Sequence, residues 1–230
     1  MFDFSNFEKK IGIIFKDKNL LKQAFTHRSY LNERPSWHLP HNERLEFLGD
    51  AVLELITTEY LYIKFPEKPE GELTNLRAAL VNSETLAKVG RELEMGNYLF
   101  LSKGEKKDTG KARQYILANA FEAFIGAAYL DNGYEAARVF IEKYLLCLTE
   151  SILKNNLWRD SKSYFQEKAQ EINGVTPCYK VLREWGPDHN KNFEIGVFLK
   201  EELVAKGEGL SKQEAEQMAA TEALKKKKWD

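Results

Sequence analysis

The stretch HNERLEFLGDAVLELI, residues 41–56, reads as one amphipathic helix with a feature that amphipathicity leaves unexplained. At ~100° per residue, Leu45, Leu48, Val52, Leu55 and Ile56 gather on one side and form the stripe a core-facing helix needs. Glu43, Glu46 and Asp50 fall within an arc of roughly 60° on the other side. Like charges at these spacings repel one another, by about 0.2–0.5 kcal/mol per pair on an exposed helix. A divalent cation relieves such a cluster, because hard cations such as Mg²⁺ take oxygen ligands, usually one or two carboxylates completed by water and substrate phosphates. A solvated acidic face is the plainer reading of the same three residues. Phe47, roughly 40° from Glu43 on the wheel, lies off the apolar stripe beside the acids, where a lone aromatic marks contact with something beyond the helix.

A second segment points the same way. Residues 116–130, ILANAFEAFIGAAYL, are an apolar run interrupted only by Asn119 and Glu122, one helical turn apart. A bilayer span needs ~20 residues, so the run predicts a helix buried in a soluble core. An unpaired buried charge costs several kcal/mol. Glu122 must therefore be protonated, paired with a Lys or Arg, or bound to a metal.

NERLEFLGDA resembles the signature of the ribonuclease III family, endonucleases that cut double-stranded RNA, and ILANAFEA is similar to the family's second motif. The resemblance covers nearly the whole chain and implies metal-assisted phosphodiester hydrolysis with no side-chain nucleophile. It implies Asp50 and Glu122 as catalytic residues, and Glu46, Asn119 and Glu122 with Asp50 as the metal site. Glu43 and Glu70 match further acidic positions of the family. The implied cofactor is Mg²⁺, with Mn²⁺ as the alternative and no small-molecule cofactor. Implied too are a homodimer in which Phe47 enters the partner's pocket, and processing of ribosomal precursor and other structured transcripts to 5′-phosphates and short 3′ overhangs. One position departs from the family. Where the family carries Asp, this chain has Asn119, which keeps the shape and an acceptor oxygen but cannot ionise. The expectation is a chain reduced in cleavage that still binds RNA.

Up to about residue 152 the patterns are helical, at 5–11, 18–31, the 41–56 stretch with Asn42 as its N-cap and Pro66 and Pro69 closing it, LTNLRAALV, SETLAKVGREL, 114–130 and YEAARVFIEKYLLCLTESIL. Residues 153–160, containing KNNLWRD, read as a linker. Beyond them the period changes: Phe193, Ile195, Val197 and Leu199 alternate along KNFEIGVFLK, a period of two that argues for a strand. CYKVLREW and EELVAKGEG read as its neighbours, and Ser211 with Glu214 form a capping box opening a last helix. The expected architecture is an all-α nuclease domain over 1–152, then a small α+β domain over 161–230 in the order α-β-β-β-α.

That second block resembles a double-stranded RNA-binding domain, most of all in GEGLSKQEAEQMAA. A-form RNA hides its bases in a deep, narrow groove, so such a domain works through phosphates and 2′-hydroxyls. Ser163, Gln166 and Gln170 follow i, i+3, i+7 spacing and suit a minor groove, though a solvated face is equally consistent with them. By resemblance the turn GPDHN carrying His189 enters the next minor groove. Lys212 opposes the helix dipole at the start of the last helix, and phosphate contact is a sensible reason for a lysine there. The family often has a second basic residue next, where this chain has Gln213, so Lys191 or the lysine run at 225–228 is left to compensate.

Composition neither requires nor opposes these readings. Lys plus Arg is 34 against 35 for Asp plus Glu, a net charge of −1, so phosphate contact must come from local placement. Cys147 and Cys178 lie far apart with no metal-like spacing, and the N-terminal residues show no signal-peptide pattern; the expectation is a cytoplasmic protein without a membrane partner. Two other readings stand beside the nuclease. One is a non-cleaving binder of duplex RNA, which Asn119 favours; the other is a ribosome-associated relative using the fold as scaffold, which the retained acids oppose.

Overall fold

In the computed structural model, residues 3–107, 109–155, 158, 160–187 and 191–229 are described. The first unit, residues 1–158, opens with α1 (Ser5–Ile11), α2 (Lys18–Ala24) and α3 (Arg28–Glu33). The pattern over 18–31 predicts a single helix, and the structure breaks it at residues 25–27. There the His27 N–H donates to Phe100 O at 3.1 Å and the Phe100 N–H to Phe25 O at 2.8 Å. This long-range pairing takes the backbone groups that a continuing helix would use.

Helix α4 (Glu43–Lys64) follows. Asn42 occupies its N-cap position, but its side chain makes no capping bond; buried, it donates instead from Nδ2 to Ala24 O at 3.2 Å. Its N–H donates to Thr26 O at 2.9 Å, so Asn42 fastens the start of α4 to the broken segment. The helix stops just ahead of Pro66, as the steric clash before a proline requires. After α5 (Glu70–Val81), α6 (Ser83–Glu92) and a 3₁₀ turn at Met95–Tyr98 comes α7 (Lys111–Asn132), longer than the 114–130 pattern.

Helix α7 is apolar around most of its circumference and accordingly sits at the centre of the unit. Helices α2, α4, α6 and α8 (Tyr134–Tyr144) pack around it. Aromatic rings fill the gaps: Phe124 meets Phe7 edge-on at 5.6 Å and Phe140 at 4.8 Å between centroids. The run after residue 134 predicts one long helix, yet the structure turns through 3₁₀ geometry at Leu146–Leu148 before α9 (Thr149–Lys154). Leu145 and Leu146 are buried at this turn, and the Leu148 N–H donates to Leu145 O at 3.0 Å, three residues back.

The second unit, residues 159–230, consists of α10 (Ser161–Asn173), β1 (Cys178–Trp185), β2 (Asn192–Leu199), β3 (Glu202–Gly209) and α11 (Lys212–Lys227). The sheet is antiparallel in the order β1-β2-β3. Its core joins Phe165 and Ala169 of α10 to Val197, Leu199 and Val204 of the sheet and to Ala219, Ala220, Ala223 and Leu224 of α11. Helix α11 lies so close to β3 that a Cβ on Gly207 would fall 2.1 Å from Ala219 N. Ser211 caps α11, accepting from the Glu214 N–H at 3.2 Å. The reciprocal half of the box is shifted by one residue, with Glu214 accepting from the Leu210 N–H at 2.8 Å. The architecture is thus a helical unit followed by helix, three strands and helix.

Candidate active site

The acids of α4 and the polar pair of α7 come together because the two helices touch backbone to backbone. A Cβ on Gly49 would stand 1.8 Å from Glu122 O, and one on Gly126 would stand 2.2 Å from Leu45 O. No side chain fits at either position. Glu46 and Asp50 flank Gly49 on α4, while Asn119 and Glu122 precede Gly126 on α7. The sequence reading missed these glycines as site residues, since each is legible only opposite the other.

Burial and mutual repulsion set the electrostatics. Glu122 is half-buried, and its pKa is pushed up to about 8, first by desolvation and then by the charges of Asp50 and Glu46. Glu46 is also raised, by desolvation first and then by Glu43, with a hydrogen bond from Asn119 opposing the shift and Asp50 adding to it. Asp50 is exposed at the open end of the cluster. Among the described residues none of Glu46, Asp50 and Glu122 forms an ion pair, whereas Glu43 lies 3.5 Å from Arg28 and 3.8 Å from His41. The expectation that Glu122 is buried within the apolar run is corrected in one respect: Glu122 and Asn119 both reach partly to the surface.

Among the described residues no three His, Cys, Asp or Glu side chains close around an ion by themselves. The donor set is three carboxylates and one amide oxygen, open on the Asp50 side. That set suits a hard, partly hydrated cation completed by water and phosphate oxygens rather than an all-protein cage. Glu70 stands at the start of α5, exposed, and accepts from the Thr74 hydroxyl at 3.0 Å; it makes no hydrogen bond or ion pair with the α4 and α7 acids among the described residues.

Glu122 provides a pH test. Its pKa is pushed up to about 8 against an ordinary 4.5, so between those values the native state binds more protons than the unfolded chain. Stability then falls as pH rises through this window. In EDTA, Glu122→Gln is expected to melt a few degrees above the parent at pH 8 and level with it near pH 4.5, as a pair of calorimetric series would show. Parallel Tm curves for the two proteins would remove the basis for the raised pKa.

In the second unit Ser163, Gln166 and Gln170 share the exposed face of α10, opposite buried Phe165 and Ala169. Ser163 Oγ donates to Asp160 at 2.8 Å, and Gln170 Nε2 to Thr176 at 3.3 Å. Lys191 and Lys212 converge on Glu184, at 2.8 and 3.5 Å, an arrangement the sequence reading did not foresee. Gln213 is exposed beside them. His189 lies outside the described residues. The lysines at 225–228 sit at the far end of α11, ~20 Å from Lys212 at 1.5 Å per residue, so Lys191 is the neighbour that adds charge at the Lys212 end. Cys147 and Cys178 are free and exposed, and no helix among the described residues is long and apolar enough to cross a membrane.

Comparison with known proteins follows the same division. The Ribonuclease-III-like family matches residues 17–148, and the double-stranded RNA binding motif matches residues 161–227. Ribonuclease 3 of a Nitratiruptor species is 47% identical over 225 residues, covering 98% of this chain and 97% of the relative. Ribonuclease 3 of Pelotomaculum thermopropionicum is 48% identical over 219 residues, covering 95% and 91%. A solved nuclease domain of ribonuclease III from Campylobacter jejuni, described as structurally flexible in a region involved in dimer formation, superposes with a TM-score of 0.57 at 42% identity. It covers 62% of this chain and 95% of that one.

Proposed function

The chain belongs to the ribonuclease III family, and on that premise we propose that its cleavage of double-stranded RNA takes place where α4 crosses α7, with Glu46, Asp50, Asn119 and Glu122 holding Mg²⁺. The observation that supports this most is the convergence of three carboxylates, without a cation of the protein's own, where two helix backbones touch at Gly49 and Gly126. A bound divalent ion would polarise a phosphoryl oxygen and lower the pKa of the attacking water. Asn119 faces Glu46 and helps to hold its pKa down against burial and the neighbouring acids. Asp50, at the open end, is the carboxylate positioned to meet the water and the scissile phosphate. Glu122, whose pKa is pushed up to about 8 by burial and the neighbouring acids, would have to give up its proton to serve as a ligand, since a metal takes the carboxylate form. The products on this reading are 5′-phosphates and short 3′ overhangs.

The test is incubation of the full chain with a long RNA duplex and Mg²⁺, beside an EDTA arm and a single-stranded RNA of the same sequence. Metal-dependent cleavage of the duplex alone is expected. Tight binding without cleavage, in this chain and in Asn119→Asp alike, would favour the second reading, a duplex binder that does not cut; Asn119 is the observation that keeps it in view.

The second unit then presents the duplex through the Ser163, Gln166 and Gln170 face of α10 and through Lys191 and Lys212, with the His189 turn as a further contact. Lys212→Ala is expected to weaken duplex binding about equally for all sequences and to reduce the salt slope by about 0.9. Filter binding at several salt concentrations measures both, and a sequence-dependent loss would count against phosphate contact.

Assembly as a homodimer rests on α4. Phe47 is 82% exposed, and Ala51, Leu55, Thr58 and Tyr62 continue an exposed stripe from it along the helix; Leu55 thus lies on this face and not with the core-facing stripe expected of it, at whose edge it falls on the helical wheel. A stripe of this length is larger than the scattered apolar residues of an ordinary surface. Light scattering of the full chain is expected to give twice the chain mass, and Phe47→Asp is expected to shift it toward monomer. A monomer for the parent at micromolar concentration would contradict the assignment.

A further inference from the structure

A cavity of about 550 Å³ opens between α6, the Met95–Tyr98 turn and the start of α7, with Arg91, Asn97, Arg113 and Gln114 on its walls and Leu117 at its floor. None of the acids of the α4–α7 crossing lines it. The Arg113 guanidinium is tethered on one side, where Nη2 donates to Gly96 O at 3.2 Å. Its other terminal nitrogen, Nη1, is buried and has no hydrogen-bond acceptor among the described residues. Leaving a charged donor buried without an acceptor is costly, and Arg113 is one of the residues lining the cavity. Arg91, across the opening, is exposed and forms no ion pair among the described residues.

The balance of charge selects the ligand. The acidic lining residue, Glu94, is already held by Lys10 at 2.7 Å, which leaves two guanidinium groups and the amide donors of Asn97 and Gln114 facing the space. Guanidinium forks match the oxygens of phosphate, and charge-assisted pairs of this kind are the strong ones. Among the described residues no aromatic ring lines the cavity, which leaves no platform there on which a nucleobase would stack. We infer that this cavity is a phosphate-binding site, separate from the metal site, in which Arg91 and Arg113 grip the phosphate oxygens. Arg113 lies on the same helix as Asn119, ~9 Å earlier along the axis at 1.5 Å per residue. The phosphate comes either from the backbone of bound RNA or from free phosphate in solution.

The experiment uses the full chain in EDTA at fixed ionic strength, titrated with inorganic phosphate and pyrophosphate by calorimetry, and separately with an RNA duplex. Arg91→Ala removes an exposed side chain without disturbing packing; Arg113→Gln removes the buried donor and serves as the second variant. Loss of free-phosphate affinity by about tenfold in both variants, with duplex affinity unchanged, identifies free phosphate as the ligand. Weaker duplex binding in both variants, with a salt slope smaller by about 0.9, identifies the RNA backbone as the source. Phosphate and duplex affinities that are the same in all three proteins overturn the inference.

Discussion

Asn119→Asp is expected to raise the single-turnover cleavage rate of a long RNA duplex by on the order of a hundredfold at low Mg²⁺. The amide at this position helps to hold down the Glu46 pKa and offers a neutral oxygen, but it brings no charge to a site whose other members repel one another. A carboxylate there adds one negative charge to the cation's surroundings and so tightens metal binding, while leaving α7 and its packing nearly unchanged, because Asn and Asp are close to isosteric. Folding and duplex binding should therefore be alike in the two proteins. The difference should narrow as Mg²⁺ rises, since excess metal makes up for weaker affinity. A side-by-side titration decides it: equal rates at low metal would mean that a carboxylate at this position is dispensable and that the metal-site assignment fails.

Gly49→Ala is expected to lower Tm by about 10 °C and to reduce cleavage by one to two orders of magnitude, on the order of what an ångström of misplacement does to a reacting group. In an ordinary exposed helix the same change stabilises by about 1 kcal/mol, because alanine is the better helix former. Here the new Cβ would meet Glu122 O at 1.8 Å and Gly126 N at 2.9 Å, backbone atoms that no rotamer change can move aside. Helices α4 and α7 must part, and Glu46 and Asp50 part from Glu122 with them. Gly71, on α5, is the control, since nothing lies within 4 Å of a Cβ built there; Gly71→Ala should hold or raise Tm and leave cleavage alone. Thermal melts and initial rates of the two variants separate the crossing from helix propensity. A neutral Gly49→Ala would show that the crossing is not as tight as the structure has it.

The parts legible in the sequence are those set by local periodicity. Glu43, Glu46 and Asp50 share a face of α4 because 3.6 residues make a turn, and that much needs no partner. Asn119 and Glu122 stand out because the rest of their segment is apolar. The alternation in KNFEIGVFLK gives a strand, and the resemblance places it within a helix-strand-strand-strand-helix unit. What was not legible depends on residues far apart in the chain. The break at residues 25–27 is imposed by Phe100, and Asn42 turns inward because Ala24 and Thr26 present carbonyls to it. Gly49 reads as a weak spot in a helix until Gly126 is set against it. The lysines at 191 and 212 become a pair only through Glu184, and the tether on Arg113 is a backbone carbonyl that no side-chain pattern announces.

The most direct test of the α4–α7 crossing as the cleavage centre is Glu122→Gln placed in the Asn119→Asp background, where activity is high enough to lose. Glutamine keeps the volume and one oxygen but removes the charge. The account predicts a fall in single-turnover cleavage of about 10³-fold at low Mg²⁺, unchanged affinity for duplex RNA in EDTA, and a fold as stable as the parent's or more so at pH 8. Cleavage that survives Glu122→Gln within a few-fold, with duplex binding intact, would contradict it and send the search for the catalytic centre elsewhere in the molecule.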